Sequence, residues 1–190
     1  MNPLSDRLPG SVLVQGQVCP VNSDWRSCMR IILAFEDAEL TLSEQMELMI
    51  ELLYQQPPPQ CAEALEQAVR FLNCGERQDK RPEGEPAARL FRFAADGKLI
   101  YAAFRKSHGI DLGTAALHWW EFCWLFLELR EDCSFCRLLA LRERRRKGKL
   151  TAEERRQLER MDPQSAPEYN AQERELLEDF LTAMNGGNGE

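Results

Sequence analysis

The twelve residues Leu117–Glu128, LHWWEFCWLFLE, constrain this chain more than any other stretch. Three of the chain's four tryptophans fall here (Trp119, Trp120 and Trp124), beside Phe122 and Phe126. A surface helix of a globular protein shows one apolar stripe, whereas this segment is apolar nearly all round. It needs neighbours on every side, supplied by the chain's own core or by a partner.

Around it the pattern is helical. Ser23 or Asp24 caps a helix to about Glu36, with Trp25, Met29, Ile32 and Leu33 at helical spacing. Thr41 and Glu44 form a capping box for a helix over about 42–55, with Met46, Met49, Ile50 and Leu53 on one face, ended by Pro57-Pro58-Pro59. A third helix spans about 61–74, with Gly75 at its C′ position. Residues 75–88 carry charge, proline and glycine, which predicts an exposed loop. Helical pattern resumes at Asp96, read as an N-cap, and runs to Gly109. Thr114 is read as the cap of the aromatic helix, which extends to about Arg130, and Ser134 opens the next. Thr151 with Glu154 starts a short helix ending before Pro163, and Asn170 with Glu173 repeats the signal for a last amphipathic piece.

Residues 1–22 read as an extended or weakly ordered arm, in which 12–18, like 88–94, has strand-like character at most. The expected fold is all-α: a compact bundle of six to seven short helices over 23–161, with a charged mid-chain loop, an N-terminal arm and a tail over 162–190.

The seven cysteines are an odd number and read as reduced thiols, which fits a cytoplasmic chain. The opening MNPLSDRLPG has acid and proline where a signal peptide is basic and then apolar. No apolar run approaches the ~20 residues of a membrane span. Cys133 and Cys136 have the spacing of half a zinc site, but His118 and Cys123 lie about 140° apart around a helix and complete it poorly. Small core thiols are the simpler reading, and neither metal nor cofactor is expected. His118 and Glu121, at i and i+3, read as a local hydrogen-bonding pair rather than a catalytic one. Motifs for nucleophilic, metal-assisted or phosphate chemistry are missing, so no enzymatic activity is expected.

Charge is unevenly placed. Residues 137–160 carry ten Lys/Arg against four Asp/Glu, within a chain of net charge −7. Arg142, Arg144, Arg145, Arg146, Lys147 and Lys149, joined by Arg155, Arg156 and Arg160, suggest a helical hairpin about Gly148. Glutamates break the run and no aromatic side chains interleave it for base stacking. An exposed face, or a docking surface for an acidic partner, is favoured over nucleic-acid binding.

The series Asp96-Gly-Lys-Leu-Ile-Tyr-Ala-Ala-Phe, His108-Gly-Ile-Asp-Leu and Leu117-His-Trp-Trp-Glu-Phe resembles the "gene product fifteen" family of siphophages and prophages. Asp24-Trp-Arg, Phe71-Leu-Asn-Cys-Gly and Arg137-Leu-Leu-Ala-Leu-Arg extend the resemblance over about 21–160. It implies a non-enzymatic tail assembly chaperone that binds the tape measure protein and assists tail tube subunits, with self-association open. Trp119, Trp120, Trp124 and the basic residues from Arg142 to Lys149 are then the candidate contact surface. A structural tail or head-completion component, or a small nucleic-acid-binding regulator using residues 137–160, is the alternative.

Overall fold

The computed structural model describes residues 2–76 and 90–162. Seven helices follow a small antiparallel hairpin: β1 Ser11–Val14, β2 Gln17–Pro20, α1 Trp25–Phe35, α2 Leu42–Leu53, α3 Ala62–Leu72, α4 Phe93–His108, α5 Trp119–Leu127, α6 Ser134–Arg146 and α7 Ala152–Met161. The mostly helical expectation holds. Most of the predicted loop 75–88, and the last amphipathic piece, lie outside the described residues.

The N-terminal residues, read as an extended or weakly ordered arm with strand-like character over 12–18, form a paired hairpin. Gln15 and Gly16 both adopt positive φ (51° and 76°), the backbone of a two-residue turn that matches the twist of paired strands. The resulting hairpin packs on α3, with Val14 and Cys19 buried, and Val21 just beyond it buried as well. The alternation that carries this is short, since only Val14 and Cys19 within the two strands point fully inward.

Capping explains most helix boundaries. Asp24 accepts from the N–H groups of Arg26 and Ser27, and the boxes Thr41–Glu44 and Thr151–Glu154 both form. Helix α3 ends one residue earlier than the glycine suggests. Asn73 is its C-cap and Cys74 takes the left-handed position at φ 57°. Gly75 N–H reaches Arg70 O at 2.8 Å and Cys74 N–H reaches Phe71 O at 3.1 Å, the paired bonds of a Schellman ending.

Two caps differ from the sequence reading. Helix α4 begins at Phe93, three residues before Asp96. Its first N–H groups, on Phe93 and Ala94, are held by the buried Glu36 carboxylate at 3.0 and 2.9 Å. A partner from another helix has no local sequence signature, and Asp96 instead reaches back to Arg92 N–H from inside the first turn. Helix α5 is shorter than expected and starts after His118, not Thr114. The Nδ1 of His118 accepts from Trp120 N–H at 3.0 Å, and Glu121 accepts from His118 N–H at 2.9 Å. The local hydrogen bonding expected of His118 and Glu121 is therefore the box that starts the aromatic helix.

Phe122 is the hub of the core. Its ring is nearly parallel to those of Phe104 (4.9 Å, 11°), Trp25 (5.1 Å, 4°) and Trp119 (5.6 Å, 11°). Phe91, Phe93, Phe126 and Phe135 continue the cluster toward α6. Such pairs add about 0.5–1.5 kcal/mol each beyond area burial. A smaller apolar cluster of Leu138, Leu141 and Leu158 holds α7 on α6.

Candidate partner-binding surface

Much of the apolar circumference of α5 is closed by the chain itself. Trp119 is fully buried and Trp120 is 7% exposed. Their indole N–H groups donate to Leu72 O and Phe71 O, both at 2.8 Å, so both side chains lock α5 onto the end of α3. Trp124 is half-buried and meets Trp120 edge-on at 6.2 Å. Of the aromatic contact residues named from the sequence, the structure leaves only Trp124 with surface to offer, and Leu127 beside it is exposed.

The basic run divides in the same way. Arg142 leaves the surface: its guanidinium donates to Asp96 Oδ2 (2.7 Å) and Oδ1 (3.0 Å), Asp162 Oδ2 (2.9 Å) and Leu90 O (2.7 Å). Burial alone lowers its pKa, but the hydrogen bonds it donates to Asp96 and Asp162 outweigh that and raise it. Sequence spacing did not reveal this residue, because its partners lie 46 and 20 positions away.

Arg144, Arg145, Arg146, Lys147 and Lys149 stay exposed. Gly148, at φ 67°, turns the chain between α6 and α7 as the predicted hairpin requires. Glu154 takes Arg144. Glu143 takes both Arg146 and Lys147, at 2.8 Å each. Those cations hold the Glu143 carboxyl below its ordinary value, while Glu154 is held low first by the Thr151 backbone N–H. Exposed pairs of this kind contribute little to stability, and Arg155, Arg156 and Arg160 keep the face basic.

The Cys133–Cys136 pair sits at a helix start. Cys133 caps α6 by accepting from Cys136 N–H at 3.4 Å, and Cys136 is pushed up to about 12 by burial and by contact with Cys133. Among the described residues no group of three His, Cys, Asp or Glu side chains has the arrangement of a metal site.

The sequence reading missed a second surface. Helix α2 is apolar on two faces: Met49 and Leu53 enter the core, while Leu42, Met46 and Ile50 line an open groove of about 970 Å³ against the start of α3. Pro57, Pro58 and Pro59 form its end wall. The spacing 42, 46, 50 is the available signal, hidden because the sequence reading sets Met46 and Ile50 on one face with Met49 and Leu53.

Closed aromatic core, basic hairpin and apolar groove define a small, mostly helical protein whose distinctive chemistry lies in its surfaces. The chain belongs to the family described as Bacteriophage Gp15 protein, whose family model matches residues 4–166. No curated protein and no solved structure matches it. Many residues that carry the resemblance are scaffold. Asp24 caps α1, Trp25 stacks on Phe122, and Arg26 donates to the carbonyls of Leu112, Gly113 and Ala115. Tyr101 bonds Asp111, and Gly109 ends α4 at φ 71°. No described helix is long and apolar enough to cross a membrane.

Proposed function

We propose that this chain is a non-enzymatic tail assembly chaperone that acts in the cytoplasm of the bacterial host. It binds the phage tape measure protein, holds it soluble and promotes assembly of the tail tube around it. Membership of a bacteriophage family over residues 4–166 carries this reading. The exposed basic face of α6 and α7 supports it with a surface suited to an acidic region of a protein partner. Arg142 anchors that face from below, so Arg144–Lys149 are presented on a fixed helix end rather than on a loose tail.

The test is co-expression with a tape measure protein from the same phage genome. The two are expected to co-purify, and the tape measure protein is expected to aggregate when expressed alone. Changing Arg144, Arg145 and Arg146 to Glu is expected to weaken the complex about tenfold or more. Undiminished co-purification of that variant would remove the basic face from the proposal, and failure of the natural chain to co-purify would remove the chaperone reading.

A further inference from the structure

The groove between α2 and α3 is unusual in being both apolar and preformed. Leu42, Met46 and Ile50 recur every four residues on its floor, and Leu65 faces them from α3. Two features fix its walls in place. The Tyr54 hydroxyl donates to Ala64 O at 2.7 Å, fixing the end of α2 to the start of α3. Burial pushes that phenol up to about 12, so it stays a donor across the physiological range. Pro57-Pro58-Pro59 then joins the helices with a segment whose φ angles are fixed and which cannot collapse into the gap. A groove that needs little rearrangement loses little free energy when it is filled.

Charge indicates what fills it. Between Arg30 and Arg70 the chain carries eight Asp/Glu and no Lys, Arg or His. Glu47 and Glu51 stand on the rim, and among the described residues no cation pairs with either. The chain's own segment 163–190 contains six Asp/Glu and one Arg, so its sign is wrong for this rim. A second copy could offer its basic α6–α7 face, but Leu138, Leu141 and Leu158 there are already buried between the two helices. That face has cations without an apolar stripe.

We infer that the α2–α3 groove is a docking site for an amphipathic helix of another protein, with an apolar stripe flanked by Lys or Arg. From Leu42 to Ile50 the floor follows α2 for about 12 Å, a little over two helical turns, which suits anchors at i, i+4 and i+7. Its sign is opposite to that of the α6–α7 face, so the two surfaces take different segments. This inference stands apart from the chaperone reading.

The experiment is fluorescence anisotropy on the full-length chain with two synthetic helices of about 15 residues. Both carry leucines on one face, flanked by lysines in one peptide and by glutamates in the other. The lysine peptide is expected to bind at least about tenfold more tightly and to weaken with salt. Met46→Lys is expected to abolish its binding, and Glu47→Lys with Glu51→Lys to reverse the preference, each with the natural helical circular dichroism. Equal binding of both peptides, or binding indifferent to Met46→Lys and to the charge reversal, would overturn the inference. So would a dimer of the natural chain that Met46→Lys converts to monomer, which assigns the groove to a second copy. A gain in peptide affinity on Phe180→Ser would likewise overturn it, assigning the groove to the chain's own terminal segment. Because the probe is a synthetic helix, failure to co-purify the tape measure protein leaves this result standing, and the reverse also holds.

Discussion

Arg142 and Asp96 form a two-pronged ion pair, at 2.7 and 3.0 Å, with both side chains less than a tenth exposed. The pair joins α6 to the first turn of α4, and a third bond from the same guanidinium holds Asp162 at the end of α7. Three helices, α4, α6 and α7, thus share one charge. Removing the cation leaves two carboxylates without it, so Arg142→Met is expected to cost about 3–5 kcal/mol in urea unfolding. Arg142→Lys is expected to be destabilising as well, because an ammonium cannot reproduce the planar fork. The double variant Arg142→Met, Asp96→Leu should lose less than the sum of its parts; a Lys variant as stable as the natural chain would contradict this account.

The burial of α5 separates its tryptophans by role. Trp119→Ala is expected to cost about 3–5 kcal/mol, since it empties a fully buried site against Phe122. Trp120→Phe keeps most of the volume and removes one of two bonds to Phe71 O, which retains Cys74 N–H, a loss of about 0.5–1.5 kcal/mol. The half-buried Trp124 is expected to tolerate alanine better than Trp119 does. Thermal melts of the three variants test the order, and a Trp124 variant less stable than the Trp119 variant would reverse it.

Local signals were legible in the sequence because their partners are three or four residues apart. The Thr41–Glu44 and Thr151–Glu154 boxes and the Gly148 turn read correctly, while α2 stops at Leu53, two residues before its expected end. Long-range partners were not legible. Glu36 caps α4 from the end of α1, Arg142 folds inward to Asp96, and Leu72 and Phe71 receive the indoles of α5. The aromatic segment posed a choice between core and partner, and pattern alone contains no term for what α3 and α4 supply. At the candidate site the basic hairpin was readable, while the groove arises only when α2 is set against α3.

Acid should weaken the capping boxes. Glu44 is held below its ordinary value of 4.5 by the Thr41 hydroxyl and then by the Thr41 backbone N–H. A carboxyl lowered in the folded state favours folding at every pH above its unfolded value, and that contribution is lost as pH falls through the lowered one. Glu154, held mainly by the Thr151 backbone N–H, acts in the same direction. The melting temperature is therefore expected to fall as pH drops below about 4.5, and Glu44→Gln should flatten that fall while lowering the plateau at neutral pH. Parallel melting curves for the two proteins from pH 7 to pH 3 would argue against the boxes as the source.

Thiol chemistry gives a readout of the same packing. Burial raises Cys28 and Cys123 well above the ordinary thiol range, and Cys136 to about 12. The thiolate is the reactive form, so all three are expected to resist iodoacetamide at pH 8 in the folded chain. Cys133, fully buried, should be shielded by lack of access. Peptide mapping should find label on partly exposed Cys61 first and on all seven cysteines in urea. Rapid labelling of Cys133 and Cys136 together in the native protein would instead mark that pair as open and reactive.

Gly75 tests whether the end of α3 and the start of α5 form one joint. Its φ of 83° lies in the left-handed region, and a Cβ there would stand 2.9 Å from Trp120 Cη2. Two costs therefore combine in Gly75→Ala: a strained backbone and a collision with a buried ring whose N–H is tied to Phe71 O. The expected loss is about 2–4 kcal/mol, more than the ~1 kcal/mol usual for alanine at an unobstructed left-handed site. Gly148→Ala supplies the comparison, because its φ is 67° and nothing lies within 4 Å of its Cβ position. If the two variants lose equal stability, Trp120 does not press on this turn; if the Gly75 variant loses more and Trp120→Phe partly rescues it, the joint is established.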